Sequence, residues 1–249
     1  MMNKKLRVGI DINEVLRARW LQFDRFYVQE FGEEEIPEQP YVYDLFKNYP
    51  WKDITEQIKD LKEPEDMPEN INPLDYQHDN NLGEAPADAF IFRSVEEKHY
   101  TAREVYNRFM YEDFVFEIHA SAPIMYKGMD LHLKNFYSKY KNTVDLIVVS
   151  KDENEFSIPS TLFFLSKMTS RFSNYLLGKD NDEIWDNIDV LITTDPDYLD
   201  SIPVGKEVIK LKRPYNLKSG DGSITPVLQV NDLLENEEFE KIIKYIKPE

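Results

Sequence analysis

Leu6-Arg7-Val8-Gly9-Ile10-Asp11-Ile12-Asn13-Glu14-Val15 decides the reading of this chain. Residues 6–11 form a short apolar run with alternating character, which is the mark of a buried strand, and the run ends on an acid. A helix is expected next, because Leu16, Trp20, Phe23, Tyr27 and Phe31 recur at spacings of 4, 3, 4 and 4, and Gly32 stands where a C-terminal cap belongs. Further along, a helix over 129–140, a strand over 144–150, a helix over 159–168, the short apolar run NYLLG and strands over 188–194 and 206–212 follow one another. Apolar strands separated by helices of about ten residues predict a parallel sheet covered on both faces, an α/β Rossmann-like fold. Residues 101–112 are read as another helix with Thr101 as N-cap, FVFEIHA (114–120) as a strand, and 231–247 as a last amphipathic helix through Leu234, Phe239, Ile242 and Ile246.

Charge and composition divide the chain unevenly. The net charge of the 249 residues is −17, and residues 30–88 carry 17 acids against 4 lysines, together with seven of the fourteen prolines. A sequence-independent grip on nucleic acid is not expected of such a chain, because that binding runs on clustered cations. No apolar run approaches the roughly 20 residues that span a bilayer, so a membrane partner is not expected either. The absence of cysteine excludes disulfides, thiolate metal sites and cysteine nucleophiles. His78, His99, His119 and His132 show no metal-ligand spacing and read as structural or solvent-facing. The chain is expected to be soluble and cytoplasmic.

In a parallel sheet the functional edge is the carboxyl end of the strands. Three strand ends carry chemistry: Asp11 with Asn13 and Glu14, Ser150 with Lys151, and Thr193-Thr194-Asp195-Pro196. An acid, a hydroxyl, a lysine and a further acid in convergence suit phosphoryl transfer, with a carboxylate nucleophile and the other groups holding phosphate and metal. On these residues the chain resembles the haloacid dehalogenase-like phosphohydrolases, and within them the 5′(3′)-deoxyribonucleotidase-like branch. Asp11-Ile12-Asn13-Glu14-Val15 is similar to the first motif, Val148-Val149-Ser150 to the second, Lys179 in LLGKD to the lysine motif, and Leu191-Ile192-Thr193-Thr194-Asp195-Pro196 to the acidic fourth. Arg213-Pro214-Tyr215-Asn216 is also similar to the nucleotidase branch. A second alignment uses Ser121 as the hydroxyl and Lys151 as the lysine.

The resemblance implies a core made of residues 1–16 and 126–249, a cap-like insertion over 17–125 containing the acidic, proline-rich stretch 60–88, and the site residues Asp11, Asn13, Ser150 and Lys179, with Asp11 and Asp195 toward Mg²⁺. Two departures bear on activity. Asn13 stands where the family has its acid/base aspartate and cannot exchange a proton. Thr193 and Thr194 stand where it has metal-binding acids, and Mg²⁺ wants anionic oxygen. The expectation is therefore a catalytically degenerate protein with no cofactor, acting as an interaction or structural component of a larger assembly, with a phage particle as the setting the resemblance implies. The alternative is a Mg²⁺-dependent nucleotidase working through an aspartyl-phosphate. The expected partner is a protein with a basic surface, met by the acidic segment and by the aromatic anchors Tyr41, Tyr43, Phe46, Tyr49 and Trp51.

Overall fold

The computed structural model describes residues 5–32, 42–59, 95–220 and 225–227. The expectations for Tyr41, for the acidic stretch 60–88 and for the C-terminal helix lie outside the described residues. The chain divides into two compact units, one of residues 1–50 with 106–249 and one of residues 51–105.

In the first unit, β1 (Leu6–Asp11) is the centre of a six-stranded sheet whose pairings are all parallel. In spatial order the sheet runs β5 (Asn174–Leu177), β4 (Val144–Ser150), β1, β6 (Val190–Thr193), β7 (Glu207–Leu211), β8 (Thr225–Val227). Strands buried on both faces must be apolar at nearly every position, and this is what β1, β4 and β6 show. Alternation then sends Leu6, Val8, Ile10, Leu146 and Val148 into one core with Met129, Leu133, Phe136 and Phe164. Ile147, Val149 and Leu191 enter the other with Ile184, Trp185, Ile188 and Tyr198. Gly9 is required by this second layer, since a Cβ there would lie 2.9 Å from Ile188 Cδ1.

The helices of the first unit are α1 (Arg19–Phe31), α3 (Met129–Tyr140), α4 (Ser157–Ser166), α5 (Asn181–Asn187) and α6 (Pro196–Asp200), and along the chain the boundary between the units falls within α2 (Ala102–Arg108). Gly32 ends α1, donating its N–H to Val28 O at 2.9 Å. Residues 114–120 are not the strand their alternating pattern predicts. They belong to a pair of π-helical turns, Phe109–Asp113 and Phe116–Ala120, closed by Phe114 N–H to Phe109 O at 3.2 Å and Ser121 N–H to Phe116 O at 3.1 Å. The wider turn buries consecutive residues Ile118, His119 and Ala120 together, which strand alternation would place on opposite faces.

The second unit contains an antiparallel hairpin, β2 (Ile54–Lys59) with β3 (Val95–Tyr100), in register from Ile54 opposite Tyr100 to Lys59 opposite Val95. At the start of α2, Glu104 Oε2 accepts from the backbone and the hydroxyl of Thr101, both at 2.8 Å. The cap-like region expected over 17–125 spans this unit together with α1 and the π-helical turns, which belong to the first.

Candidate functional site

The strand order places a topological switch beside Asp11, because β1 leads away to β4 on one side while β6 leads to β7 on the other. A crevice opens at the carboxyl ends of two such strands. Asp11 lies opposite Val149, one residue before Ser150, and Ile10 lies opposite Ile192, so Asp11, Ser150 and Thr193 share one edge. Thr193 Oγ1 donates to Asp11 Oδ2 at 2.8 Å, and the Asn13 N–H reaches Asp11 Oδ1 at 3.3 Å. Asp11 is only 2% exposed. Burial and the charges of Asp195 and Asp152 push its carboxyl well above the usual range, against the two hydrogen bonds it accepts, and so favour the neutral acid.

After β1 the chain makes one wide turn, with the N–H groups of Leu16 and Arg17 both bonded to Ile12 O at 3.1 and 3.0 Å. Glu14 sits in it at φ 59°, a strained value for a residue with a Cβ. Its Oε1 accepts the Trp20 N–H at 2.7 Å and so caps α1, whose own N-cap Ala18 has no side-chain acceptor. Glu14 is therefore committed to the helix.

Asn13 itself is fully buried and fully engaged. Its Oδ1 accepts from Arg17 Nε at 2.9 Å and Nη2 at 2.8 Å, and its Nδ2 donates to Ser150 Oγ at 3.1 Å. Arg17 also donates from Nη1 to His119 O and to Thr161 Oγ1, both at 2.8 Å, and pairs through Nη2 with Glu153 Oε1. Thr161 Oγ1 donates to Glu153 Oε2 at 2.7 Å, and His119 Nδ1 lies 3.1 Å from Arg17 Nη2 and 3.4 Å from Glu153 Oε2. Arg17, Glu153 and His119 are all sealed from solvent. Burial would raise the Glu153 carboxyl, but Arg17 and His119 hold it well below the usual range. Burial lowers His119 below its ordinary value, with Arg17 and Arg19 acting in the same direction against Glu153.

The other strand ends are held as firmly. Asp195 caps α6, with Oδ1 accepting the Asp197 N–H at 2.9 Å, while its Oδ2 lies 2.7 Å from Lys151 Nζ. Lys151 also reaches Asp197 Oδ2 at 2.6 Å. Burial pushes the Asp195 carboxyl up to about 6 in spite of Lys151. Arg19 and the Tyr43 hydroxyl donate to Asp152 Oδ2 at 3.0 and 3.2 Å, and Tyr43 packs on Tyr215 with ring centroids 5.7 Å apart. In the Arg213–Asn216 segment, Asn216 Nδ2 braces the β6 end by donating to Thr194 O at 2.7 Å.

Of the site residues expected from sequence, Asp11, Asn13 and Ser150 are linked by hydrogen bonds, and Asp195 joins them through the Thr193 hydroxyl, which accepts its N–H at 3.0 Å. Lys179 differs: it follows edge strand β5, two strands from β1, and pairs with Glu183 at 2.9 Å. The lysine that reaches this edge is Lys151, next to Ser150, while Ser121 is exposed after the second π-helical turn. Arg17, Glu153 and His119 were not singled out as a set, and their separations of 102 and 136 residues from Arg17 left no local signal.

Among the anchors expected to meet a partner, Tyr49 is buried against Phe23 and Tyr27, with centroids 4.9 and 4.4 Å away, and Phe46 packs edge-on against Tyr106 at 5.5 Å. Trp51 is half-buried in the second unit.

The oxygens at this strand edge already have protein partners. Asp195 spends one oxygen on a helix cap and the other on Lys151, Asn13 Oδ1 is taken by Arg17, and the Thr193 hydroxyl proton is given to Asp11. No group of three His, Asp or Glu residues suited to a metal occurs among the described residues.

No helix among the described residues is long and apolar enough to cross a membrane. No family model matches the sequence, and no curated protein does. Among solved structures, the chain is similar to a protein described as a haloacid dehalogenase-like hydrolase from Burkholderia xenovorans LB400, at a TM-score of 0.50 and 11% identity, over 96% of this chain and 99% of that one. With the parallel sheet and its switch point at Asp11, that likeness supports an α/β Rossmann-like fold for the chain.

Proposed function

We propose that this is a catalytically degenerate haloacid dehalogenase-like protein that works by binding and not by phosphoryl transfer. The observation that carries the reading is the use of Asn13. At the position where the resemblance expects a proton-exchanging carboxyl there is an amide, and both ends of it are committed to structure, one to Arg17 and one to Ser150. Transfer through Asp11 would need an ionised, accessible carboxylate and a neighbouring acid/base group. Asp11 is buried, biased to its neutral form and bonded at both oxygens, and Glu14 is turned away to cap α1.

A second reading, a Mg²⁺-dependent phosphatase or nucleotidase, draws on one observation: the charges of Asp195 and Asp152 help raise the Asp11 carboxyl, and that of Asp152 helps raise Asp195, as in acids gathered for a cation. The test is hydrolysis of an aryl phosphate and of deoxynucleoside monophosphates with Mg²⁺, beside Asp11→Asn. The proposal expects the two proteins to be indistinguishable. Turnover in the wild type that vanishes in Asp11→Asn establishes the enzyme instead.

A further inference from the structure

Among the described residues of the first unit, a cluster of exposed aromatic rings lies on and beside α4. Ser157, Ser160, Thr161, Phe164 and Leu165 face inward, as an amphipathic helix requires. The outward arc should then be polar, but it carries Phe156, Pro159, Leu162 and Phe163. Phe156 keeps helical backbone angles, so positions 156, 159 and 163 form one stripe. The second π-helical turn extends it, because Phe116 packs on Phe163 with centroids 5.3 Å apart. Phe156, Phe163, Phe116 and Leu162 are 56%, 46%, 47% and 44% exposed. Three half-exposed rings and a leucine present roughly 300 Å² of contiguous apolar surface, the size at which such patches on single chains are often functional.

The edges of the patch indicate what covers it. Glu155 and Glu117 adjoin Phe156 and Phe116 in sequence, so two acids stand beside the rings against one cation, Lys167, which donates to Ala120 O at 3.1 Å and lies over the face of Phe163 at 4.6 Å. A second copy would bring the same acidic edge and another −17 of net charge, which opposes pairing of like surfaces. Anionic lipid is disfavoured for the same reason. We infer that the Phe116–Phe156–Leu162–Phe163 face docks an amphipathic helical segment of a partner protein, with apolar residues on one side and Lys or Arg at its flanks. The inference rests on the binding reading of the protein and names the surface that would serve it.

The test uses the full chain and three synthetic 15-residue peptides: an amphipathic Leu/Lys helix, a scrambled Leu/Lys peptide of equal charge, and a Leu/Glu helix. Fluorescence anisotropy should give saturable binding of the Leu/Lys helix, at least tenfold tighter than the scrambled peptide, and none of the Leu/Glu helix. Phe116→Ser with Phe163→Ser should weaken it at least tenfold, and Phe156→Ser alone severalfold, with unchanged circular dichroism. Equal binding of the helix and the scrambled peptide, or binding unaffected in these variants, overturns the inference. So does a concentration-dependent dimer in sedimentation that the double variant abolishes, because the face would then belong to a second copy. None of these residues touches the Asp11 network, so phosphatase assays on the same proteins report on the proposed function separately.

Discussion

Glu153→Gln removes one charge from the sealed Arg17–Glu153 pair while keeping the side chain's shape. Both partners are fully buried, so the pair is not weakened by solvent screening, and Arg17 would be left as a buried cation without a counter-charge. A Gln amide can still accept from Arg17 on one side and donate to the Thr161 hydroxyl on the other, so the substitution removes the charge and spares the hydrogen bonds. Breaking a buried pair in this way costs about 3–5 kcal/mol, a large part of the ~5–15 kcal/mol that holds a domain folded. With a urea m-value of about 3 kcal/mol/M, the unfolding midpoint should fall by about 1–1.7 M. The assay is urea unfolding followed by tryptophan fluorescence in a Trp51→Phe background, where Trp20 and Trp185 report on the first unit alone. Adding Arg17→Met should cost less than the sum of the two single changes, by about 2–3 kcal/mol. A Glu153→Gln protein within about 0.5 kcal/mol of its parent, or strict additivity in the cycle, would refute the claim that this pair anchors Asn13.

Three more outcomes follow from the same geometry. His119 has a folded pKa lowered by burial, so as pH falls below about 6.5 the unfolded chain takes up a proton that the folded chain refuses, and stability drops; Asp11 and Asp195 have raised values and act in the opposite direction, so the check is the difference in urea midpoint between wild type and His119→Phe from pH 7 to 5, which should narrow as pH falls. Asp11→Asn should stabilise the protein by about 1 kcal/mol at pH 8, since it removes a buried acid repelled by Asp195 and Asp152, and a lower melting temperature for the variant would contradict this. Gly178→Ala should destabilise by about 1–3 kcal/mol, because Gly178 has φ 65° and an added Cβ would lie 2.7 Å from Glu153 O, as measured by thermal melting.

The sheet was legible because its strands are local and their patterns unambiguous: Leu6–Asp11 and Val144–Ser150 are apolar runs that end on the polar residues now found side by side. Residues 114–120 were not legible as a turn, since FVFEIHA alternates in the way a strand does, while the second π-helical turn packs against α4 and α1, contacts that the local pattern does not encode. The choice between Lys151 and Lys179 was equally hidden. Both follow strands, and which ammonium reaches Asp195 depends on β4 lying next to β1 while β5 lies at the edge. The aromatic run Tyr43–Tyr49 has the composition of a docking surface but the positions of an internal clasp, with Tyr49 against α1 and Tyr43 on Asp152. Asn13 and Thr193, standing where the resemblance leads one to expect acids, were visible in the sequence. That Asn13 is held by an arginine four residues on, itself neutralised by Glu153, required the fold.

The central proposal is that Asp11 is not a phosphoryl acceptor, and it is tested most directly by a crystal structure of the protein grown with Mg²⁺ and beryllofluoride, which traps reactive aspartates as phosphoryl mimics. The account predicts Asp11 unmodified, bonded to the Thr193 hydroxyl, with Asn13 still held by Arg17. A beryllofluoride adduct on Asp11 with Mg²⁺ bound beside it, at about 2.1 Å from six oxygen ligands, would contradict it.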